Sequence, residues 1–558
     1  YFPFLEKGKI ALYLGENGKH PSFSFKTPPV PEHQEKATFI WEAAIGKNTG
    51  ERLATYRMKI NGREFLTIHG YEEGQLKSWQ FEKDGTTLYF IHTKTGKARG
   101  ELFGYMVLEL PVNKYPANQA LEIQFEEDVS DVFDFFMVIQ NPVRSSLQLF
   151  EEAAILKTPN GNKQSVRVEL THLGAPTTVQ FKFENKLIKT TSISTGKNII
   201  YLHFDPVKST KTGQLSIELK GKVPIKKSIT LEPVRHFEVY FLPHSHVDIG
   251  FTHTQDEVAR LQWKNLDLAL DLVDKTRNFP EGSQYKWNAE ISWVLDGYLK
   301  QASEKQKQRL IQAVESGHIG VDALYGSVLT GLQREEELFH NTSFANELKD
   351  KYGFDIQTAM ITDVPGYTWG TNTGLSQTGI KYLSVGPNHM PHLPHGGYQV
   401  GHTFEAWGDI PFYWVGPSKK DKILFWMSTH GYSWFHSWSV GNISNAGGTP
   451  ILNFLEELKA QRYPYDIVQL RYNIGNDNGP PDPDMPGFFK EWNEKYEWPK
   501  FRIATTLEMM KAFESRYKDQ IPEHSGDFTP YWEDGAASSA TETAINRNTA
   551  DRSVQAET

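Results

Sequence analysis

Two histidines and an aspartate, His244, His246 and Asp248, fall within the motif HSHVD, directly after Pro243 and an apolar run over residues 237–242. Residues two apart in an extended segment point to the same side, so His246 and Asp248 can face one ion while Val247 turns away. An imidazole nitrogen beside a carboxylate oxygen suits Zn²⁺. Two further carboxylates occupy comparable places. The stretch 355–362 reads as a short buried strand and stops at Asp363, before the turn formers Val364, Pro365 and Gly366. The stretch 466–474 ends in GNDNGP, which carries Asp477. Catalytic groups of parallel α/β sheets and barrels gather at the carboxyl ends of the strands. A metal-binding pair with two free carboxylates therefore suggests acid/base and nucleophilic work on a polar substrate.

The elements that must position these groups change character along the chain. Up to about residue 235 there is no convincing amphipathic helix. Short alternating segments recur instead, at 38–43, 87–92, 104–110, 165–170, 178–183, 198–204 and 214–219, separated by Gly, Asn, Pro and Lys. Such spacing predicts antiparallel β-sandwiches, with a joint over residues 142–158. From residue 236, strands and helices alternate, with helices expected over 256–276, 291–316 and 335–351. That alternation predicts an α/β domain with helices over a parallel sheet or ringing a barrel. The expected division is a jelly-roll-like sandwich at 1–145, a small immunoglobulin- or fibronectin-like sandwich at 146–235, an α/β catalytic domain at 236–520, and a further helical region starting at 521–558.

The motifs HSHVDIGFTHT, YKWNAEISWVLDGYL and ITDVPGYTWG, with the later GNDNGPP, resemble the catalytic domain of glycoside hydrolase family 38, the zinc-dependent retaining α-mannosidases. The resemblance spans about residues 236–550 and implies a seven-stranded, barrel-like α/β fold preceding a helical bundle. It implies one zinc ion held by His246, Asp248 and Asp363. Asp363 would also be the nucleophile, and Asp477 the acid/base. A retaining pair would hold its carboxyls about 5–5.5 Å apart. Phe251, Trp287, Glu290, Tyr367 and Asn476 would face the substrate, Glu290 alternatively orienting a ligand or pairing with Lys286. The chain departs from the family pattern at Phe251, often Trp; at Val364–Tyr367, where Pro-Phe-Gly-His is more usual; and at Asn476, where an acid would stand. The family's fourth ligand is a later His, for which this chain offers only His524. The expectation is a fragment whose continuation holds that ligand, and the absence of Met at position 1 fits a trimmed product.

Composition narrows the alternatives. A chain of 558 residues with net charge -9 and interspersed basic residues carries no footprint for nucleic acid or an anionic membrane. No apolar run approaches a membrane span. Absence of cysteine excludes disulfides, Cys-type zinc sites and thiol nucleophiles. His389, His392 and His395 form a second cluster, among prolines that forbid a regular helix. His430, Trp434, His436 and Trp438 are candidates for lining a sugar pocket or packing against the barrel. Asp482 and Asp484 resemble a calcium loop only superficially. Asn341 and Asn442 begin Asn-x-Ser/Thr sequons. The expected activity is an exo-acting retaining α-mannosidase on an oligosaccharide or glycan, secreted or periplasmic. A same-fold glycosidase for another α-linked sugar and a carbohydrate-binding protein with a disabled site are the alternatives. Sequence does not set the oligomeric state.

Overall fold

A computed structural model describes the chain except residues 1–9, 16–21, 33–34, 48–54, 73, 97–99, 130–134, 141–145, 174–175, 195, 220, 222, 365, 389–407, 429–430, 434–440, 476 and 529–531. The chain divides into two compact units: Tyr1–Glu151 with Ser165–Glu232, and Glu152–Gln164 with Pro233–Thr558.

The first unit is built from antiparallel sheets, and each strand segment read from the sequence lies within an observed strand. Lys36–Ile45 alternates so that Ala37, Phe39, Trp41 and Ala43 enter one core, where Phe25, Tyr56 and Phe125 of a four-stranded sheet meet them. Two inner faces interdigitating in this way make a sandwich. A separate core gathers Val168, Phe181, Leu202 and Leu215. Within it, Thr177–Phe183 returns as Lys186–Ile193 through Glu184 and Asn185, both at positive φ, the conformation that a tight hairpin turn requires.

The second unit is α/β. Glu238–Pro243 is buried at every position, as a parallel strand covered on both faces must be. It pairs in parallel with Ile467–Tyr472 on one side and Lys500–Ile503 on the other. Trp287–Ala289 pairs in parallel with Ile319–Val321, and Thr358–Asp363, Tyr382–Pro387 and Lys422–Met427 form a third parallel row. A bridge from His244 to Asn288 and a 2.8 Å bond from Ala323 N–H to the Thr358 carbonyl connect these sheets. No helix among the described residues is long and apolar enough to cross a membrane.

Three differences from the sequence reading have local causes. The expected helix over 291–316 is two helices, Ser292–Gln301 and Glu304–Glu315, because Ser303 and Gln306 form a reciprocal capping box. The helix over 335–351 likewise breaks into Glu335–His340 and Ser343–Tyr352 at Asn341, whose side-chain oxygen accepts from the Tyr325 and Gly326 N–H groups. Glu152–Gln164, assigned from sequence to the small sandwich, groups with the second unit: Ala153 and Ala154 join its core, and Ile155 pairs with Trp498. The Asp482 loop has a structural role. Asp482 accepts from the Tyr472 hydroxyl and from Asn442, so the Asn442 sequon side chain is likewise committed within the fold.

Asn288 ties the strand ends together. Its amide donates to the carbonyls of Pro243, at 3.1 Å, and Ala504, at 3.2 Å, while its oxygen accepts from the Thr506 N–H at 2.7 Å. All of this is fully buried. Asn288→Ala would strand buried backbone groups at about 1–3 kcal/mol each. The expected result is a lower urea midpoint for this unit, by the equivalent of about 3 kcal/mol, followed by circular dichroism.

Candidate active site

Where Glu238–Pro243 ends, the chain carries His244 and His246 into the interior, 0% and 3% exposed. Glu290, 1% exposed, lies between them at the start of the following strand–helix turn. Its Oε2 accepts from His244 Nδ1 at 2.8 Å and its Oε1 from His246 Nδ1 at 3.0 Å. An ionised carboxylate only accepts, so both rings carry a proton on Nδ1. His246 Nε2 is thereby left facing Asp363 Oδ2, 3.5 Å away.

Asp363 closes the strand Thr358–Asp363 in an unusual backbone state. Its φ is 67°, and the Val364 N–H bonds back to the Thr362 carbonyl at 2.8 Å across it, forming a three-residue turn. Turns of this type with positive φ at a non-glycine centre are strained, and such strain clusters at functional positions. Asp363 Oδ1 is buried with no hydrogen-bond partner among the described residues. Asp477 follows the end of the Ile467–Tyr472 strand and accepts from the Tyr432 hydroxyl at 3.2 Å. The Tyr432 ring lies 4.9 Å from that of His246.

The electrostatics show how closely these groups are gathered. Burial opposes charge on His246, yet Glu290, Asp363 and Asp477 outweigh it and push the imidazole up to about 10. Glu290, which burial alone would raise, is held well below the usual carboxylate range by His246 and His244. His244 goes the other way, down to about 4, through burial and then the nearby Arg471 guanidinium. Asp248 is raised by partial burial and by Asp477, Asp363 and Glu290, against the pull of His246. Negative charge therefore exceeds positive charge around His246, a setting that favours a bound cation.

His246, Asp248, Asp363 and Asp477 thus belong to one electrostatic cluster. Other expected site residues lie deeper. Trp287 is 4% exposed and Tyr367 5%, and both belong to the hydrophobic core. Glu290 is equally shut from solvent and bonds histidines, neither a sugar hydroxyl nor Lys286, which pairs with Glu508. Phe251 is 79% exposed beside the His246 loop and free to meet a ligand. His524 sits in Glu523–Ser525 against the Phe412 ring. Asn476, His389, His392, His395, His430, Trp434, His436 and Trp438 lie outside the described residues.

Sequence reasoning missed Asn478, Tyr432 and Arg471. Asn478, at φ 60°, donates to the Asp248 carbonyl and the Thr252 hydroxyl, and its own N–H bonds the His246 carbonyl at 2.7 Å, locking the Asp477 loop onto the HSHVD loop. Its signal was a second amide in a short turn, a type that tolerates the left-handed region. Arg471 carried the plainest signal, a charge within the otherwise uncharged strand IVQLRY.

Among the described residues no three His, Asp or Glu side chains are gathered as a finished metal site. The donors nonetheless fit a divalent cation: a buried imidazole nitrogen fixed by a carboxylate on its other nitrogen, facing an aspartate with one orphaned oxygen.

Carboxylates at the ends of parallel strands, beside a cation-favouring histidine, are the kind of arrangement by which glycoside hydrolases work. The family model of the glycosyl hydrolases family 38 N-terminal domain matches residues 236–534, more than half of the chain, and the chain belongs to that family. Among solved structures it is similar to an alpha-mannosidase from Enterococcus faecalis V583, at 20% identity and a TM-score of 0.42, covering 52% of this chain and 31% of that one. A second Enterococcus faecalis protein in glycosyl hydrolase family 38 matches at 16% identity and a TM-score of 0.37, covering 52% and 29%. The chain thus spans about three tenths of the length of these relatives. A comparison with curated proteins gives no match.

Glu290→Gln tests the shared carboxylate. One amide oxygen can accept from a single imidazole, and its NH₂ then confronts the other N–H. Loss of one buried, charge-assisted bond should cost about 2 kcal/mol. The expected readout is a lower urea midpoint with unchanged far-UV circular dichroism; an unchanged midpoint would show that the two histidines do not depend on this carboxylate.

Proposed function

We propose that this chain carries the catalytic domain of an exo-acting, zinc-dependent retaining α-mannosidase acting on a glycan. The observation that carries the reading is Asp363: a strained strand-end carboxylate with an oxygen unpartnered among the described residues, 3.5 Å from His246 Nε2. Family membership and the Asp477 carboxyl at a second strand end support it. The eight parallel strands of the three sheets, connected through His244–Asn288 and Ala323–Thr358, are read as one barrel-like layer, one strand more than the resemblance implies.

In this reading Asp363 attacks the anomeric carbon while Asp477 protonates the glycosidic oxygen, and the aglycone leaves. Asp477 then takes a proton from water, which attacks the same carbon and releases Asp363. His246, Asp248 and Asp363 would hold zinc, which when bound supplies Lewis acidity toward sugar hydroxyls and fixes the nucleophile. Tyr432 orients Asp477 through its 3.2 Å bond, and exposed Phe251 offers an apolar face to the sugar. Trp287, Tyr367 and Glu290 act from behind, as packing and support. The Phe251 and Val364–Tyr367 departures favour the second reading, a glycosidase of the same mechanism for another α-linked sugar.

A panel of aryl α-glycosides with metal analysis tests both. Zinc bound with turnover of the α-mannoside is expected; turnover of another glycoside alone selects the second reading, and neither zinc nor turnover sinks both. Asp363→Asn should abolish turnover. Asp477→Ala should lower kcat about 10²–10⁴-fold for poor leaving groups and much less for activated phenols, which need little protonation. Equal losses across leaving groups would remove Asp477 from the acid/base role.

A further inference from the structure

We propose that Arg471 is a positioning residue for this site, locking the Asp363 turn and the His246 imidazole into one rigid frame from the buried side. The proposal rests on the assignment of Asp363 and His246 above.

Arg471 is fully buried in Ile467–Tyr472, on the strand that also leads to Asp477. Each end of its guanidinium reaches a different part of the site. Nη2 donates to the hydroxyl of Thr362, the residue immediately before Asp363. Nη1 donates to Ser384 Oγ at 3.3 Å, and Ser384 in turn donates to Gln469 at 2.8 Å. Nε donates to His244 Nε2 at 3.3 Å. From His244 the path continues through Glu290 to His246, and from His246 to Asp363. The connections form a closed ring: one route from Arg471 ends on the nucleophile's turn, the other on the imidazole that faces the nucleophile.

The backbone is tightly packed around this group. A Cβ on Gly386 would stand 2.7 Å from Tyr432 Cα, so the strand passes Tyr432 only as glycine, and the same Cβ would press to 3.2 Å from Arg471 Nη1. A buried charge is a poor source of stability, since well-packed apolar substitutes often do as well or better. Rigid orientation explains the residue better. The planar fork fixes several acceptors at set angles, which a lysine point charge cannot do. The Asp363 turn is strained and persists only if its surroundings over-determine it. The bond to Thr362 supplies that constraint from below.

The test uses the full chain, with zinc affinity measured against a competing chelator and kinetics on the aryl glycoside that the wild type hydrolyses. Arg471→Met is expected to lower kcat about 100-fold, the cost of misplacing reacting groups by roughly an ångström. KM should change less than about threefold, and zinc should bind about tenfold more weakly, as when outer-shell partners are removed. Arg471→Lys, which keeps the charge and loses the fork, should fall between. Thr362→Val cuts only the branch to the nucleophile and should lower kcat about tenfold while leaving zinc affinity intact. That split is one a general loss of stability would not produce, and it decides the matter should Arg471→Met fail to fold. An active wild type whose folded Arg471→Lys and Thr362→Val variants keep its kcat and zinc affinity would overturn the proposal and leave the functional reading standing. A wild type that neither binds zinc nor hydrolyses any glycoside would overturn that reading, and this proposal with it.

Discussion

A carboxylate that is 1% exposed has to be compensated where it stands, and Glu290 is compensated by two imidazoles at once. Removing an ion of this size from water costs several kcal/mol after relaxation, so its oxygens must be met by donors of good geometry. Both Nδ1–H groups and, at 3.3 Å, the Val247 N–H meet them. Much else follows from that demand. The HSHVD segment must leave its strand so that alternate residues return to one acceptor, and the Trp287–Ala289 strand must lie alongside for Glu290 to arrive there. Asn288, one turn of the alternation away, secures this by bonding the strand ends on either side. With both histidine tautomers set from behind, the direction of His246 Nε2 is no longer free, and it points at Asp363.

The site is therefore assembled from segments that share little sequence proximity but end at the same height in parallel strands. Antiparallel sheets of the first unit have no such common end, since neighbouring strands there terminate at opposite edges. In the second unit, three strands deliver His246, Asp363 and Asp477 to one cluster, and Asn478 then clamps the first and last of these loops together. The strain at Asp363 has a reason in this arrangement. A regular continuation of the strand would send its side chain onward along the pleat, whereas the three-residue turn halts it beside His246.

What was legible in the sequence was whatever depends on neighbours in the chain. The strand ends at Pro243 and Asp363 and the helix Gln255–Thr276 follow from local pattern, and so do the alternating strands of the first unit. The HSHVD spacing is local too. The helix break at Ser303 was local as well, but it sits inside a continuing 3.6-residue apolar rhythm that hides it. Trp287 and Tyr367 were expected at the substrate from the resemblance of their motifs, and a motif does not tell how deeply a ring is buried. Glu290 serves two histidines more than forty positions away, and Arg471 serves a threonine 109 positions away. No periodicity registers such partnerships, although a lone charge in an apolar strand calls for one.

Polar groups fill the interior beneath the cluster: Gln469 and Arg471 share one face of their strand, with Ser384, Thr362 and Asp322 on neighbouring elements. An apolar filling of these positions would give a core at least as stable, because each buried polar group gains little net free energy even when paired. Some find no full set of partners among the described residues, Gln469 Nε2 and Asp363 Oδ1 among them. Burial has also drawn Asp322 up to about 7, which makes ionising that carboxyl costly at neutral pH. Stability has been ceded along the faces that support the site, while the helices and apolar strands around them carry the fold. Directional bonds are what such an interior offers in return: hydrophobic contacts tolerate sliding and repacking, whereas a guanidinium, a carboxylate and two imidazoles in a ring do not. For the chemistry proposed above, in which two carboxyls are held at a set separation around one anomeric carbon, that loss of freedom is the useful property.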